Sequence, residues 1–278
     1  MFRLGAHVSV GGGIHRAVER EEETGGNCGQ IFVGSPRGWK VNQPDMEEAK
    51  RFRELVEEKD IKPWIVHSTY LINLATPKEE LGRKSVETMQ AEINVTSKLG
   101  IPYYTFHPGA HTSAGVEEGI ENIASRLSEL DIPDNIRVLL ENTSGKGTTL
   151  GKTFSELSDM IELSDHGYDK LGVCLDTCHM YSAGYDFSSQ AKLDMVLDEI
   201  EDTVGNENLR FLHLNDSKYG YASEKDAHEH IGLGKIGDEA FRLFINHGEL
   251  RKKPMVLETP VDDRGFAWNI RKVKELRS

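Results

Sequence analysis

The chain has 278 residues, 37% of them apolar and 28% charged, with a formal net charge of −13. That length supports one large core or two modest ones, and the composition is that of a globular fold with a polar surface. No apolar run approaches a membrane span, and the acidic balance argues against a generic nucleic-acid binder, whose surface is usually basic.

The first residues lack the basic start and apolar centre of a secretory signal, so a cytoplasmic location is expected. Eight short apolar runs follow, rich in Val, Ile, Phe and Tyr and too short for helices. They read as strands over residues 4–8, 30–33, 64–66, 103–106, 138–140, 173–175, 211–214 and 255–257. Charged segments with helical spacing lie between them. Residues 45–56 put Met46, Ala49, Phe52 and Leu55 on one face; 78–99, 116–130, 153–163 and 239–247 have the same character. Residues 190–200 must supply the helix between the sixth and seventh strands. Strand and helix alternate to the end, which favours a parallel sheet. Eight such units predict a single-domain (β/α)8 TIM barrel over residues 1–278. A doubly wound open sheet is the alternative. Against it, Gly11-Gly-Gly13 follows the first strand without the spaced glycines of a phosphate-binding turn.

Chemistry collects at one end of these strands. The third ends in His67, the fourth in His107, the fifth in Glu141 and the sixth in Asp176; the seventh carries His213 and the eighth ends in Glu258. In a barrel all six face the same C-terminal mouth, where the active sites of this architecture lie. One such residue is more often a hydrogen-bonded structural group, and Asp176 could equally cap a following helix. Six in succession point instead to a polynuclear metal site, because desolvated carboxylates beside imidazoles are costly to hold together without a cation. Imidazoles and carboxylates suit zinc or manganese. His179, on the loop beyond the sixth strand, could join Asp226 and His228 around a further ion, since alternation by two points both side chains the same way. His230 competes with His228 for that place. Cys28, Cys174 and Cys178 are too few for a disulfide framework; Cys174 and Cys178 flank Asp176 but read as small buried residues. His7 lies near the mouth of the first strand, where it could support a ligand. Several bases fall in loops after strands: Arg37 and Lys40, Lys146 and Lys152, then Lys218, Lys225 and Lys235.

These residues lie in segments that together resemble the endonuclease IV family. The segments are Gly5-Ala-His-Val-Ser-Val10, Phe32-Val-Gly-Ser-Pro-Arg-Gly-Trp39, His67-Ser-Thr-Tyr-Leu-Ile-Asn-Leu74 and Phe106-His-Pro-Gly109. Next come the run from Leu140-Glu-Asn-Thr to Leu150-Gly151, Val173-Cys-Leu-Asp-Thr-Cys-His179 and His213-Leu-Asn-Asp-Ser-Lys218. Asp226-Ala-His-Glu-His-Ile-Gly232 and Leu257-Glu-Thr-Pro260 complete the match, which runs nearly end to end. The resemblance implies a barrel with three zinc ions, manganese being an alternative at one or more sites. It implies cleavage of duplex DNA 5′ to abasic sites; a monomer is expected. His67, His107 and Glu141 would hold the first ion. Glu141 would bridge to a second, completed by Asp176, His213 and Glu258, and His179, Asp226 and His228 would hold the third. Glu141 and Glu258 would be catalytic, and Arg37, Tyr70 and Leu71 would enter the minor groove. Gly38 and Ser68 stand where some relatives carry a polar and an acidic side chain. A sugar isomerase or epimerase on the same barrel is the rival reading, since such enzymes share a set like Glu141, Asp176, His213 and Glu258. A non-catalytic binder of damaged DNA is a second rival, against which no ligand position is lost.

Overall fold

The computed structural model describes residues 1–278 and is a closed, all-parallel barrel. Its wall is built from β1 (Leu4–His7), β2 (Gly29–Ile31), β3 (Trp64–His67), β4 (Tyr103–Phe106), β5 (Arg137–Glu141), β6 (Leu171–Asp176) and β7 (Leu209–His213). It is closed by β10 (Met255–Leu257), which pairs with both β7 and β1. Closure removes the open sheet as an alternative. Two further short strands, β8 (Asp216–Ser217) and β9 (His228–Glu229), form an antiparallel ribbon over the mouth.

Helices cover the outside: α1 (Arg16–Thr24), α2 (Met46–Lys59), α3 (Glu79–Lys98), α4 (Val116–Ser128), α5 (Phe154–Glu162), the short α6 (Gly167–Lys170), α8 (Gln190–Thr203), α9 (Asp238–Asn246) and α10 (Gly265–Leu276); the short α7 (Thr177–Ala183) instead follows β6 at the mouth. Local chemistry explains their ends. The Asp45 side chain accepts from Glu48 N–H at 2.8 Å and caps α2, and Thr153 does the same for α5 through Glu156 N–H. α2 ends at Asp60, held in the left-handed region at φ 50°. Ala49 and Phe52 bury its inner face. Met46, expected on that face, lies in the first turn of α2 and is 65% exposed.

Two other expectations need correction. The second strand starts at Gly29 and ends at Ile31, so Phe32 and Val33 already belong to the loop above it. His179 is not on a loop: α7 begins directly after Asp176, which ends β6 and caps that helix at once.

Two successive layers of side chains fill the barrel. The lower layer is apolar and fully buried: Cys28, Ile65, Leu139, Cys174, Phe211 and Val256. Two residues further along the same segments stand Gln30, His67, Glu141, Asp176, His213 and Glu258. Strand side chains repeat every second residue, so these form the next layer, facing the mouth. A register shift between β6 and β7 at Val173/Cys174 brings Asp176 level with His213. Irregularities of this kind are common beside functional sites.

Candidate metal centre

The nitrogens and carboxylate oxygens predicted to bind metal come together in three adjoining groups. His67, His107 and Glu141 form one, Glu141, Asp176, His213 and Glu258 another, and His179, Asp226 and His228 the third. Their spacing is specific. His67 Nε2 lies 3.4 Å from Glu141 Oε2, and His107 Nε2 lies 3.3 Å from Glu141 Oε1. His213 Nδ1 is 3.2 Å from Glu141 Oε1 and 3.6 Å from Glu258 Oε2; His179 Nε2 is 3.3 Å from Asp226 Oδ1. Bonds of about 2.0–2.2 Å arranged tetrahedrally around zinc put ligand atoms roughly 3.3–3.6 Å apart. Both Glu141 oxygens, His213 Nδ1 and His228 Nε2 are buried without a hydrogen-bond partner. An unpaired buried carboxylate costs several kcal/mol by order of magnitude, so these groups fit a cation they can share.

The second ring nitrogen of three of the histidines is held by a backbone carbonyl; that of His179 also lies 3.4 Å from Glu141 Oε1. His67 Nδ1 donates to Ser68 O at 2.8 Å, His179 Nδ1 to Asn142 O at 2.9 Å and His228 Nδ1 to Glu258 O at 3.1 Å. Each bond fixes a tautomer and leaves Nε2 facing inward. His213 is turned the other way: Nε2 donates to Gln30 Oε1 at 2.7 Å and leaves Nδ1 inward. Asp176 Oδ1 accepts from His179 N–H at 3.0 Å, and its Oδ2 accepts from Asn215 Nδ2 at 2.6 Å. Capping a helix and facing the metal group, posed above as alternatives for Asp176, are thus met by one side chain.

Electrostatics agrees with this geometry. Burial by itself raises a carboxyl group's pKa, yet Glu141 and Glu258 lie well below the usual range because His213 and its neighbours favour the charged form. Burial by itself lowers an imidazole, yet His179 is pushed well up by Asp176 and Asp226. The thiols behave differently. Burial raises Cys174 to about 11 and Cys178 to about 12, so both are neutral at ordinary pH although they lie within reach of the cluster.

A cavity of about 450 Å3 opens above the cluster, lined by His67, Tyr70, His107, His179, Asp226, His228, Glu258 and Pro260. Tyr70 is 58% exposed, with its ring edge-on to His67 (5.7 Å) and to Phe32 (5.4 Å). Leu71 beside it is half-buried and Arg37 is exposed. Tyr70 N–H donates to Pro36 O at 3.0 Å, which ties the loop carrying Tyr70 to the loop carrying Arg37. His230, the competitor of His228, turns away and binds Asn269 Nδ2 through Nδ1 and faces Asp262 through Nε2. A larger cavity of about 480 Å3 lies at the opposite, N-terminal end, around Arg3, Phe52 and Trp64, far from these groups.

Three residues of the site carried no sequence expectation: Asn142, Asn215 and Gln30. The asparagines follow strand ends, where polar residues are common. Gln30 was visible only as a polar residue inside an otherwise apolar strand.

The family model described as a xylose isomerase-like TIM barrel matches residues 18–276. The "Probable endonuclease 4" of Halobacterium salinarum is 49% identical over 278 residues, covering all of both chains. That of Thermosipho africanus is 42% identical over 279 residues, covering 99% of each. Among solved structures, endonuclease IV from Thermus thermophilus superposes with a TM-score of 0.87 at 34% identity, covering 99% of this chain and 98% of that one. A D-tagatose 3-epimerase-like protein superposes at 0.73 with 22% identity, a likeness of fold alone.

Proposed function

The chain belongs to the endonuclease IV family, and from that premise we propose that it hydrolyses the phosphodiester on the 5′ side of abasic sites in duplex DNA. The products would be a 3′-hydroxyl and a 5′-deoxyribose phosphate, the chain would also clear blocked 3′ ends, and its place would be base excision repair. The observation that carries this reading is the third group, His179, Asp226 and His228, standing beside the two groups that meet at Glu141. A sugar epimerase working with one or two ions has no need of it.

His67, His107 and Glu141 would hold one zinc ion, Glu141 with Asp176, His213 and Glu258 a second, and His179, Asp226 and His228 a third, with manganese as an alternative occupant. When bound, such ions lower the pKa of water toward neutrality and offset charge on a phosphodiester. The chain's own residues do the rest. Glu141 turns both oxygens into the cluster and can serve two ions. Glu258 keeps Oε2 inward, where it can orient an attacking water. Asp226 and His107, the more open members, border the cavity and leave room for a phosphate. Arg37, Tyr70 and Leu71 stand at the rim to fill the space left by an extruded sugar. An abasic nucleotide has no base to unstack, which lowers the cost of extrusion.

Cations would also relieve the conflict between the net charge of −13 and a phosphate substrate. Exposed Arg37, Lys40, Lys146, Lys218 and Lys225 add positive charge on the strand-end loops. No helix is long and apolar enough to cross a membrane. We place the protein in the cytoplasm as a monomer.

The test is a nicking assay on a duplex with one abasic site, with metal analysis of the same preparation. Cleavage 5′ to the lesion by a zinc-containing protein is expected. Retention of the duplex without a nick would favour the non-catalytic binder, and epimerisation of a ketose without nicking would sink the nuclease reading.

A further inference from the structure

The polar layer contains one residue that offers no metal ligand. Gln30 is wholly buried, and every hydrogen bond of its side chain goes to the site or to His7 beside it. Its Oε1 accepts from His213 Nε2 at 2.7 Å; its Nε2 donates to Glu258 Oε1 at 2.5 Å and to His7 Nδ1 at 2.8 Å. The opposite amide orientation would set the carbonyl oxygen against a carboxylate oxygen, two acceptors with no proton between them.

Building on the metal-dependent reading above, we propose that Gln30 is a positioning residue for the ion site formed by Glu141, Asp176, His213 and Glu258. A neutral imidazole carries one N–H. By accepting the Nε2 proton, Gln30 makes Nδ1 the lone-pair nitrogen of His213, and this is the atom that faces Glu141 and Glu258. By donating to Oε1 of Glu258, it turns Oε2 toward the same place. One amide thereby sets the tautomer of one ligand and the rotation of another.

The other sites are oriented differently. His67, His179 and His228 are each held by a backbone carbonyl, which no substitution removes. The site beside Gln30 is where ligand orientation depends on a replaceable side chain. Gln30 is itself held firmly, since β2 pairs with β1 at His7 and with β3 at Ile65.

Gln30→Met keeps the volume and removes all three bonds. Gln30→Glu keeps the shape and sets a second carboxylate against Glu258. Zinc content, resistance to a chelator, and kcat and KM on an abasic duplex are measured for both, with circular dichroism to check folding. We expect one zinc per chain to be lost roughly 10- to 100-fold more readily, with kcat falling by a similar factor. KM should hold and added zinc should restore kcat; the 15N shifts of His213 should report a change of tautomer in Gln30→Met, whereas Gln30→Glu keeps an acceptor for His213 Nε2 and acts through Glu258. If Gln30→Met does not fold, Gln30→Glu decides the matter alone. Unchanged zinc retention and kcat overturn the proposal, and so does uniform loosening of all the zinc or a kcat loss that zinc does not restore. Either result leaves the nuclease reading intact if the wild-type protein binds zinc and nicks; failure of the wild-type protein to do both sinks that reading instead.

Discussion

The two inward layers of the barrel are carried by the same strands and differ by one repeat of the pleat, yet they behave as different materials. Cys28, Ile65, Leu139, Cys174, Phe211 and Val256 pack into an apolar layer. Gln30, His67, Glu141, Asp176, His213 and Glu258, two residues on, form a layer in which carboxylate and imidazole atoms lie 3.2–4.0 Å apart and several lack a hydrogen bond. The lower layer gains from burial and close packing. The upper one has part of its burial cost offset by hydrogen bonds to Gln30, Asn215 and the His179 N–H, and the remainder calls for positive charge. The floor is fully buried beneath the cluster, so packing and chemistry are divided between neighbours on one strand.

Substitutions two residues apart on β5 should separate these roles. Glu141→Gln removes the carboxylate common to two groups and should lower kcat on an abasic duplex on the order of 10³-fold or more, with reduced metal content. A near-normal rate would refute the shared role. Leu139→Ala, directly below, should cost about 2–5 kcal/mol in denaturant unfolding, with kcat on folded protein nearly unchanged. If Leu139→Ala instead strips the metals without loss of stability, the division between layers is wrong.

Glu21 sharpens the contrast from outside the barrel. It is as buried as Glu141, but Ala6 N–H and the Thr24 hydroxyl are its partners and no imidazole is near. Burial raises its pKa to about 8. A raised folded-state pKa means that the stability Glu21 contributes is complete below its unfolded value near 4.5 and is lost as pH climbs through about 8. Between about pH 6 and 8 the wild-type protein should lose about 2 kcal/mol relative to Glu21→Gln. Parallel stability curves for the two proteins across that interval would show that Glu21 is not held neutral.

The smallest effect belongs to the rim. Tyr70→Ala should weaken discrimination between abasic and intact duplex by roughly tenfold, about 1.4 kcal/mol, at unchanged zinc content. Equal discrimination would remove Tyr70 from lesion recognition.

The alternation of apolar runs with charged helical segments was enough to read the barrel from the chain, because period two and period 3.6 are local properties of the backbone. The residue types at the strand ends are legible for the same reason: five sit one step past a recognisable run and His213 sits within one. Met46 has the spacing of the inner face, yet in the first turn of α2 it is exposed, because burial there depends on what packs against the helix and not on its period. His179 reads as a loop residue because a strand end running straight into a helix leaves no turn residue as a signal. Gln30 was invisible as a site residue, since its importance lies in His213 and Glu258, which are remote from it along the chain. Which groups would meet at the mouth followed from covalent order. How closely they meet, which nitrogen faces inward and which oxygen stays free depend on barrel closure, on the β6–β7 register shift and on hydrogen bonds between distant strands. No local pattern encodes those distances.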